Sequence, residues 1–402
     1  MKVLVLGGDG FCGWPTALHL SSKGHEIVIA DNFSRRRIDQ DLGVQSLTPI
    51  RSLRRRISRW HSLTGREIAF HHLDVAEEYD KLLALLRAEK PDAVIHFAEQ
   101  RAAPFSMKSA RHKSYTMRNN VCGTEHILSA IVETGADIHL VHLGTMGVYG
   151  YGGTDAALPD GYLPVFVPTA GGDLKRQEIV FPADPGSVYH LTKVLDHCTF
   201  QYYAKNDRIR ITDLHQGIVW GTQTPETGLH PDLINRFDYD GDYGTVLNRF
   251  LVQSAIGYPL TVHGTGGQTR AFIHISDTVR CIELALDNPP ERGDRVRVAN
   301  QIAETRQVRE LAMMIAERTG CDIAYVDNPR NEAAENALCV RNDVLRGFGW
   351  DPVTLEDGLL AEVEEIALIH RGRCDVNKIP AMSTWTTAQS PGLPAFLSEA
   401  AE

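Results

Sequence analysis

The sequence predicts an α/β protein whose core is a doubly wound parallel sheet of the Rossmann type. Three observations carry that expectation. Val3-Leu4-Val5-Leu6 is an apolar run ending in glycines, the pattern of a strand buried on both faces. Gly7, Gly10 and Gly13 follow at three-residue spacing and open a helical pattern. Strand and helix patterns then alternate, which implies parallel strands joined by crossover helices.

The elements follow in order. Residues 14–23 read as the first helix, with Ala17, Leu18 and Leu20 at helical spacing and Gly24 as its stop. Residues 26–30 form the second strand, ending at Asp31. Residues 35–65 are a long insert in which Leu53, Ile57 and Trp60 recur at near-helical spacing. Strands are expected at 69–73, 93–97, 138–143 and 210–214. Helices are expected at 79–90, stopped by Pro91, and at 119–134, closed by Gly135. Residues 151–186, rich in Gly, Pro and Asp, read as a loop system with a small hairpin over the site. Later helices are expected at 245–256, 276–286 and 305–318. The division is a dinucleotide-binding domain at 1–215 and a smaller, mostly C-terminal α/β substrate portion at 216–380. Residues 276–290 should pack back on the sheet, and 381–402, rich in Ser, Thr, Ala and Pro, form a tail.

Composition narrows the class. The 402 residues, 43% hydrophobic and 23% charged, are those of a soluble globular chain with a large core. A formal net charge of −10 argues against nucleic acid as a partner. No apolar run reaches membrane-spanning length, and strand character begins at Lys2 with no leader before it. The seven Cys are scattered without a C-x-x-C, which implies no disulfide framework and a reducing, cytoplasmic setting. The 17 His show no ligand spacing, so no metal site is expected. Arg51, Arg54, Arg55, Arg56 and Arg59 read as a solvated helix face, whereas residues 35–37 fall where a cofactor could be touched.

The glycine turn lets backbone approach a pyrophosphate at a helix N-terminus. Asp31 would bond the adenosine ribose hydroxyls and repel a 2′-phosphate, which favours NAD, although Arg35 and Arg36 stand close enough to hold such a phosphate. Asp74 ends the third strand, where it reaches the adenine or caps a helix. Asn120 is a cap or a cofactor-positioning amide. Tyr189 and Lys193 lie four apart on one helix face, and a neighbouring ammonium makes the phenolate accessible as a base. Thr145, just past the fifth strand, can share a hydrogen bond with a substrate hydroxyl.

These motifs, in this order, resemble the extended short-chain dehydrogenase/reductase family along nearly the whole chain. The strings Gly7 to Trp14, Ser46-Leu47-Thr48-Pro49-Ile50, Glu99 to Pro104, Leu143-Gly144-Thr145-Met146-Gly147, Gly267-Gln268-Thr269-Arg270 and Asn328-Pro329-Arg330 look like those of its sulfite-using branch. That resemblance implies an enzyme in which NAD takes and returns a hydride at C4 of UDP-glucose. Between those steps the C6 hydroxyl leaves as a 4-keto-5,6-ene forms, and sulfite adds at C6. Thr145, Tyr189, Lys193 and the adjoining His190 are the implied catalytic groups. Gly7, Asp9, Gly10, Phe11, Cys12, Gly13, Asp31, Asn32, Arg35, Asp74, Val75, Phe97 and Asn120, with Tyr189 and Lys193, are the implied cofactor contacts. On the substrate side, Gln100 and Arg101 are implied for sulfite or the sulfonate. Arg249, Arg270 and Arg330 are implied for the diphosphate, and Thr145, Gln216, Thr245 and Gln268 for the nucleotide sugar. A homodimer paired through the helices of Asn119 and Tyr189 is also implied.

One position departs from that branch. Val148 precedes Tyr149-Gly150 where the branch carries a Glu; Val-Tyr-Gly is the ending of UDP-sugar 4-epimerases. Met146-Gly147 replace the Asp-Glu pair of 4,6-dehydratases. A UDP-sugar or UDP-uronate 4-epimerase, or a dehydratase-type enzyme, is therefore the alternative. An NAD-binding sensor is a third, against which the intact Thr145, Tyr189 and Lys193 speak.

Overall fold

The computed structural model describes all residues except 151–156, 331, 357–358, 382, 384 and 386–402. Most of the expected tail, and the start of the expected loop system, thus lie outside the described residues. Seven strands form the central sheet: β1 (Lys2–Leu6), β2 (Glu26–Asp31), β3 (Ile68–His72), β4 (Ala93–His96), β5 (His139–Thr145), β6 (Arg210–Gln216) and β7 (Arg297–Gln301). Their order is β7-β6-β5-β4-β1-β2-β3, and every pairing is parallel. The chain runs from β1 to one edge and then from β4 to the other. The switch point lies between β1 and β4, and a crevice opens at their carboxyl ends.

The apolar run of β1 divides between two cores. Val3 and Val5 pack with Trp14, Leu18 and Ile95 on one face, while Leu4 and Leu6 pack with Leu82, Ile127 and Leu128 on the other. The helix Ile275–Asp287 sends Cys281, Ile282 and Ala285 into the first core, so it packs back on the sheet. A separate core around Leu247, Phe250, Leu260, Leu311 and Ile315 supports the substrate side. Among the described residues no helix is long and apolar enough to cross a membrane.

Four expectations are corrected. The helix expected from 305 begins at Val308, because Glu304–Gln307 is a strand paired antiparallel with Gly267–His274. That pairing overrides local helical pattern. The helix expected from 119 starts with a π-helical turn, Arg118–Cys122, before the α-helix Gly123–Thr134. Of the loop system, Tyr162–Pro168 and Leu174–Val180 do form a hairpin. It sits beside β7, where Tyr162 Oη donates to Val296 O at 2.8 Å, and none of residues 157–186 lines the cleft.

The fourth correction concerns the arginines of the insert. The insert is two helices, Ser34–Leu42 and Leu53–Thr64. Arg56 on the second is fully buried, bonded to Asp9 at 3.1 Å and stacked 4.0 Å from the Trp14 ring centroid. Arg51, Arg55 and Arg59 converge on Asp232 at 3.2, 3.0 and 3.5 Å. Only Arg56 leaves the solvated face, drawn in by the buried Asp9 carboxylate; the side chains of Arg51, Arg55 and Arg59 stay 48, 58 and 37% exposed. Between the helices, Leu47 N–H donates to Phe237 O and Thr48 Oγ1 to Asn235 O, which ties the insert to the substrate portion.

Candidate active site

The cleft begins at the glycine turn. Gly7 has φ +82°, and a Cβ there would stand 2.7 Å from the backbone of Phe97. A Cβ at Gly13 would stand 2.1 Å from the Gly7 carbonyl oxygen. The turn is therefore closed to side chains, and its open face meets the cleft through Gly7, Asp9, Gly10, Phe11, Cys12 and Gly13. Asp31 lines the same cleft, each of its oxygens accepting one backbone N–H, from Asp9 at 2.8 Å and Phe33 at 2.7 Å. Each oxygen keeps a lone pair for a ribose hydroxyl. Burial first and Asp9 next raise this carboxyl to about 6. Asn32, Asp74, Val75 and Phe97 complete that end; Asp74 accepts from Asn32 Nδ2 at 2.7 Å and from Ala76 N at 3.1 Å, so it shapes a turn. These features fit a dinucleotide.

The arginines near Asp31 are already engaged. Arg36 grips Asp9 with bonds of 2.5 and 2.8 Å. Arg35 pairs with Asp39 and Asp238 and lies 3.6 Å over the Tyr243 ring, on the substrate side of the cleft. Neither guanidinium is spare for a 2′-phosphate. Asn120 does not line the cleft. It is fully buried, bonds Gln100 through backbone N and O, and donates to Thr192 Oγ1 at 3.0 Å, so it holds a loop to a helix.

Thr145, Tyr189 and Lys193 all face the cleft. Thr145 sits at the last residue of β5, and its Oγ1 accepts from Gly147 N at 3.2 Å, which leaves its own hydrogen to donate. Tyr189 and Lys193 lie in the first turns of the helix Val188–Asn206, which Ser187 caps by accepting from His190 N. Lys193 Nζ touches Glu99, donates to Leu143 O at 2.7 Å and meets His142 Nε2 at 2.9 Å. Burial pulls its ammonium down to about 8, with Asp196 and Asp213 opposing. His190 is buried beneath Gly147, and burial first, then Arg330 and Arg270, hold it near 3. It is neutral at physiological pH, so it cannot serve there as a charged acid.

Every expected substrate contact lines the other half of the cleft. Gln100 turns its amide onto Ala102, at 2.9 and 3.1 Å. Arg101 bonds Asp238 at 2.7 Å and keeps about a third of its side chain exposed. Asp238 also meets Arg35 and Arg236, so three guanidinium groups share this carboxylate. Arg249 is buried with its Nε unpaired; burial, then Arg330, lowers it to about 10. A buried cation short of counter-charge suits a multi-oxygen anion. Gln216 donates to Thr278, and Arg270 meets Glu332.

Sequence reasoning missed the groups behind Lys193. Asp213 accepts from His142 Nδ1 at 2.8 Å, His197 Nδ1 at 3.1 Å and His215 Nε2 at 3.0 Å. Two triads, His96-Glu99-His142 and His197-Asp213-His215, hold their donor atoms within 4.8 Å of one another, although no local spacing announces them. The available signal was polar residues inside central strands: His139 and His142 in β5, Asp213 and His215 in β6.

A dinucleotide turn, an acid ending the second strand and a Thr, Tyr and Lys around one cleft define a class. The chain belongs to the NAD dependent epimerase/dehydratase family, whose sequence profile matches residues 3–299, and its cofactor is NAD. Among its relatives, the chloroplastic UDP-sulfoquinovose synthase of Spinacia oleracea is 43% identical over 96% of this chain and 79% of its own length. The UDP-sulfoquinovose synthase of Sulfolobus acidocaldarius is 39% identical over 88% of each. In fold, the chain is similar to a UDP-glucose 4-epimerase of Thermotoga maritima solved with UDP-glucose (TM-score 0.67, 20% identity, 90% of this chain and 98% of that one). It is also similar to a UDP-glucuronic acid 4-epimerase of Bacillus cereus solved with UDP-glucuronic acid and NAD (TM-score 0.66, 20% identity, 93% and 99%).

Proposed function

We propose that the chain is a UDP-sulfoquinovose synthase, which converts UDP-glucose and sulfite to UDP-sulfoquinovose. The observation that carries this reading is the 43% and 39% identity to two such synthases across most of the chain. Bound NAD supplies a hydride acceptor that takes the sugar C4 hydrogen and later gives it back. Tyr189, as phenolate, takes the C4 hydroxyl proton, and the Lys193 ammonium favours that phenolate. Thr145 donates a hydrogen bond to the C4 oxygen as it becomes a carbonyl. The ketone acidifies the C5 proton, whose loss with the C6 hydroxyl gives the 4-keto-5,6-ene to which sulfite adds.

Arg249, Arg270 and Arg330 would hold the diphosphate, with Gln216, Thr245 and Gln268 on the nucleotide sugar. Arg101 is the stronger candidate for sulfite, because the Gln100 amide is spent on Ala102. A homodimer would pair the helices Gly123–Thr134 and Val188–Asn206, on which Val132, Leu191 and Tyr202 are exposed. The seven free cysteines support a reducing, cytoplasmic setting.

The NAD-loaded protein is incubated with UDP-glucose and sulfite, and the products are weighed by mass spectrometry. A sulfonated UDP-hexose is expected; its absence overturns the reading. One observation favours a second reading. Val148 is buried among Met146, Tyr149 and Leu158, and it offers no group that moves a proton. A C4 epimer of a UDP-hexose or UDP-uronate formed without sulfite would decide for an epimerase.

A further inference from the structure

The groups behind Lys193 form a buried hydrogen-bonded set. Asp213 is buried. Burial alone would raise its carboxyl, but His215, His142 and His197 hold it well below the usual range, so it is an acceptor only. The three imidazole nitrogens on it must therefore carry hydrogens. With Nδ1 donating, a neutral His142 ring turns a bare Nε2 towards Lys193 Nζ at 2.9 Å. The three hydrogens of the ammonium then meet Glu99, Leu143 O and His142 Nε2.

The surroundings of His142 are charged, and two of these groups, Glu99 and Lys193, line the cleft. Glu99 Oε2 lies 3.5 Å and Asp196 Oδ2 3.8 Å from its Nε2. The His96 ring lies 5.5 Å and the Phe200 ring 4.8 Å away. His197 and His215 share its carboxylate, and His96, His142, Lys193, Asp196, His197, Asp213 and His215 are all buried. Two branches leave the set. One runs from His197 to Gln201 at 3.4 Å, the other from His215 through Tyr149 Oη at 2.8 Å to Asn300 Oδ1 at 3.1 Å. Both pass through carboxamides, which do not take up a proton near neutral pH, and Gln201 goes on to donate to Tyr162 Oη at 3.0 Å. The titratable group that joins this set to the cleft is Glu99, which touches Nζ, lies 3.5 Å from Nε2 and lines the cleft.

We propose that His142, oriented by Asp213, is the proton partner of Lys193. Resting on the synthase reading, its Nε2 takes a proton from the Lys193 ammonium while the sugar carbinol is a ketone, and returns it when the carbinol is restored. The balance is simple. The sugar hydroxyl proton goes to the Tyr189 phenolate, a second proton moves from Nζ to Nε2, and an imidazolium is left paired with the Asp213 carboxylate. The return step reverses both transfers. A reaction that gives back the hydride it took is served by a store that keeps the proton beside the site. His142 is thus a positioning residue that acts through Lys193.

Two measurements test this. In the first, NAD-loaded wild type and His142→Gln are mixed with UDP-glucose, and the rate of cofactor reduction is followed against pH. Glutamine keeps an acceptor for Nζ but cannot take a proton. The variant should reduce cofactor about tenfold more slowly or worse and gain a steep rise with pH that wild type lacks. An unchanged rate and profile overturns the proposal. The second needs no sugar and no variant that folds: nitrogen NMR of histidine-labelled, NAD-loaded wild type. A protonated Nδ1 and bare Nε2 at His142 is expected, and a hydrogen on Nε2 overturns the proposal. Should wild type reduce no cofactor with UDP-glucose, the synthase reading fails, while the NMR result still decides the role of His142.

Discussion

Tyr189 and Lys193 divide one task between a proton acceptor and the charge that makes it acidic enough. Tyr189→Phe removes only the acceptor. It should lower kcat by about 10²–10⁴-fold while NAD affinity by equilibrium titration stays within about threefold of wild type. Asp31 sets a pH limit on the cofactor. Its carboxyl, raised to about 6 by burial and Asp9, is charged above that value and neutral below it. Protonation removes acceptors for the ribose, so the Kd for NAD should rise about tenfold between about pH 7 and pH 5. Asp31→Asn should flatten that dependence. Arg249 meets a different partner: Arg249→Ala should weaken UDP binding, measured by calorimetry, by about 10–100-fold, since a charge-assisted hydrogen bond to an anion is worth about 1.5–3 kcal/mol. The Tyr189 and Lys193 pair was legible because both residues lie on one helix at a fixed spacing. The carboxylate with three imidazoles was not, because its members come from β5, β6 and a helix, and only the fold brings them together.

At the scale of elements, the strands were legible for the same physical reason that they are stable. A strand covered on both faces is apolar throughout, as Val3 to Leu6 and Ala93 to Ile95 are. The insert hides one buried cation, since Arg56 looks like a surface residue until Asp9 and Trp14 are placed around it. That pairing docks the helix Leu53–Thr64 against the dinucleotide turn. Arg56→Ala leaves the buried Asp9 with Arg36 alone, and it should destabilise the protein by about 3–5 kcal/mol in urea unfolding. The turn itself tolerates no side chain at Gly13, where a Cβ meets the Gly7 carbonyl at 2.1 Å. The start of the helix Val308–Thr319 is not legible in local pattern, because strand pairing by residues 304–307 depends on a distant partner, Gly267–His274.

The whole molecule holds several imidazoles neutral in its interior. Burial, as the first cause, lowers His139 and His190 to about 3 and His274 to about 4. Between these values and the ordinary 6.5, the unfolded chain binds protons that the folded chain refuses. Stability is therefore intact above about pH 6.5 and is lost as pH falls, by about 1.4 kcal/mol per pH unit for each such histidine. Thermal unfolding should show a midpoint dropping steadily from about pH 6.5 to pH 4.5, and His139→Gln should lessen the slope. The same closed interior surrounds the chemistry, and the central claim is that one hydride leaves a sugar carbon and comes back to it. The most direct test is turnover of UDP-glucose deuterated at C4 in the presence of sulfite. The product should carry a sulfonate at C6 and keep the deuterium at C4. A sulfur-free product, or loss of the label to solvent, would contradict that claim.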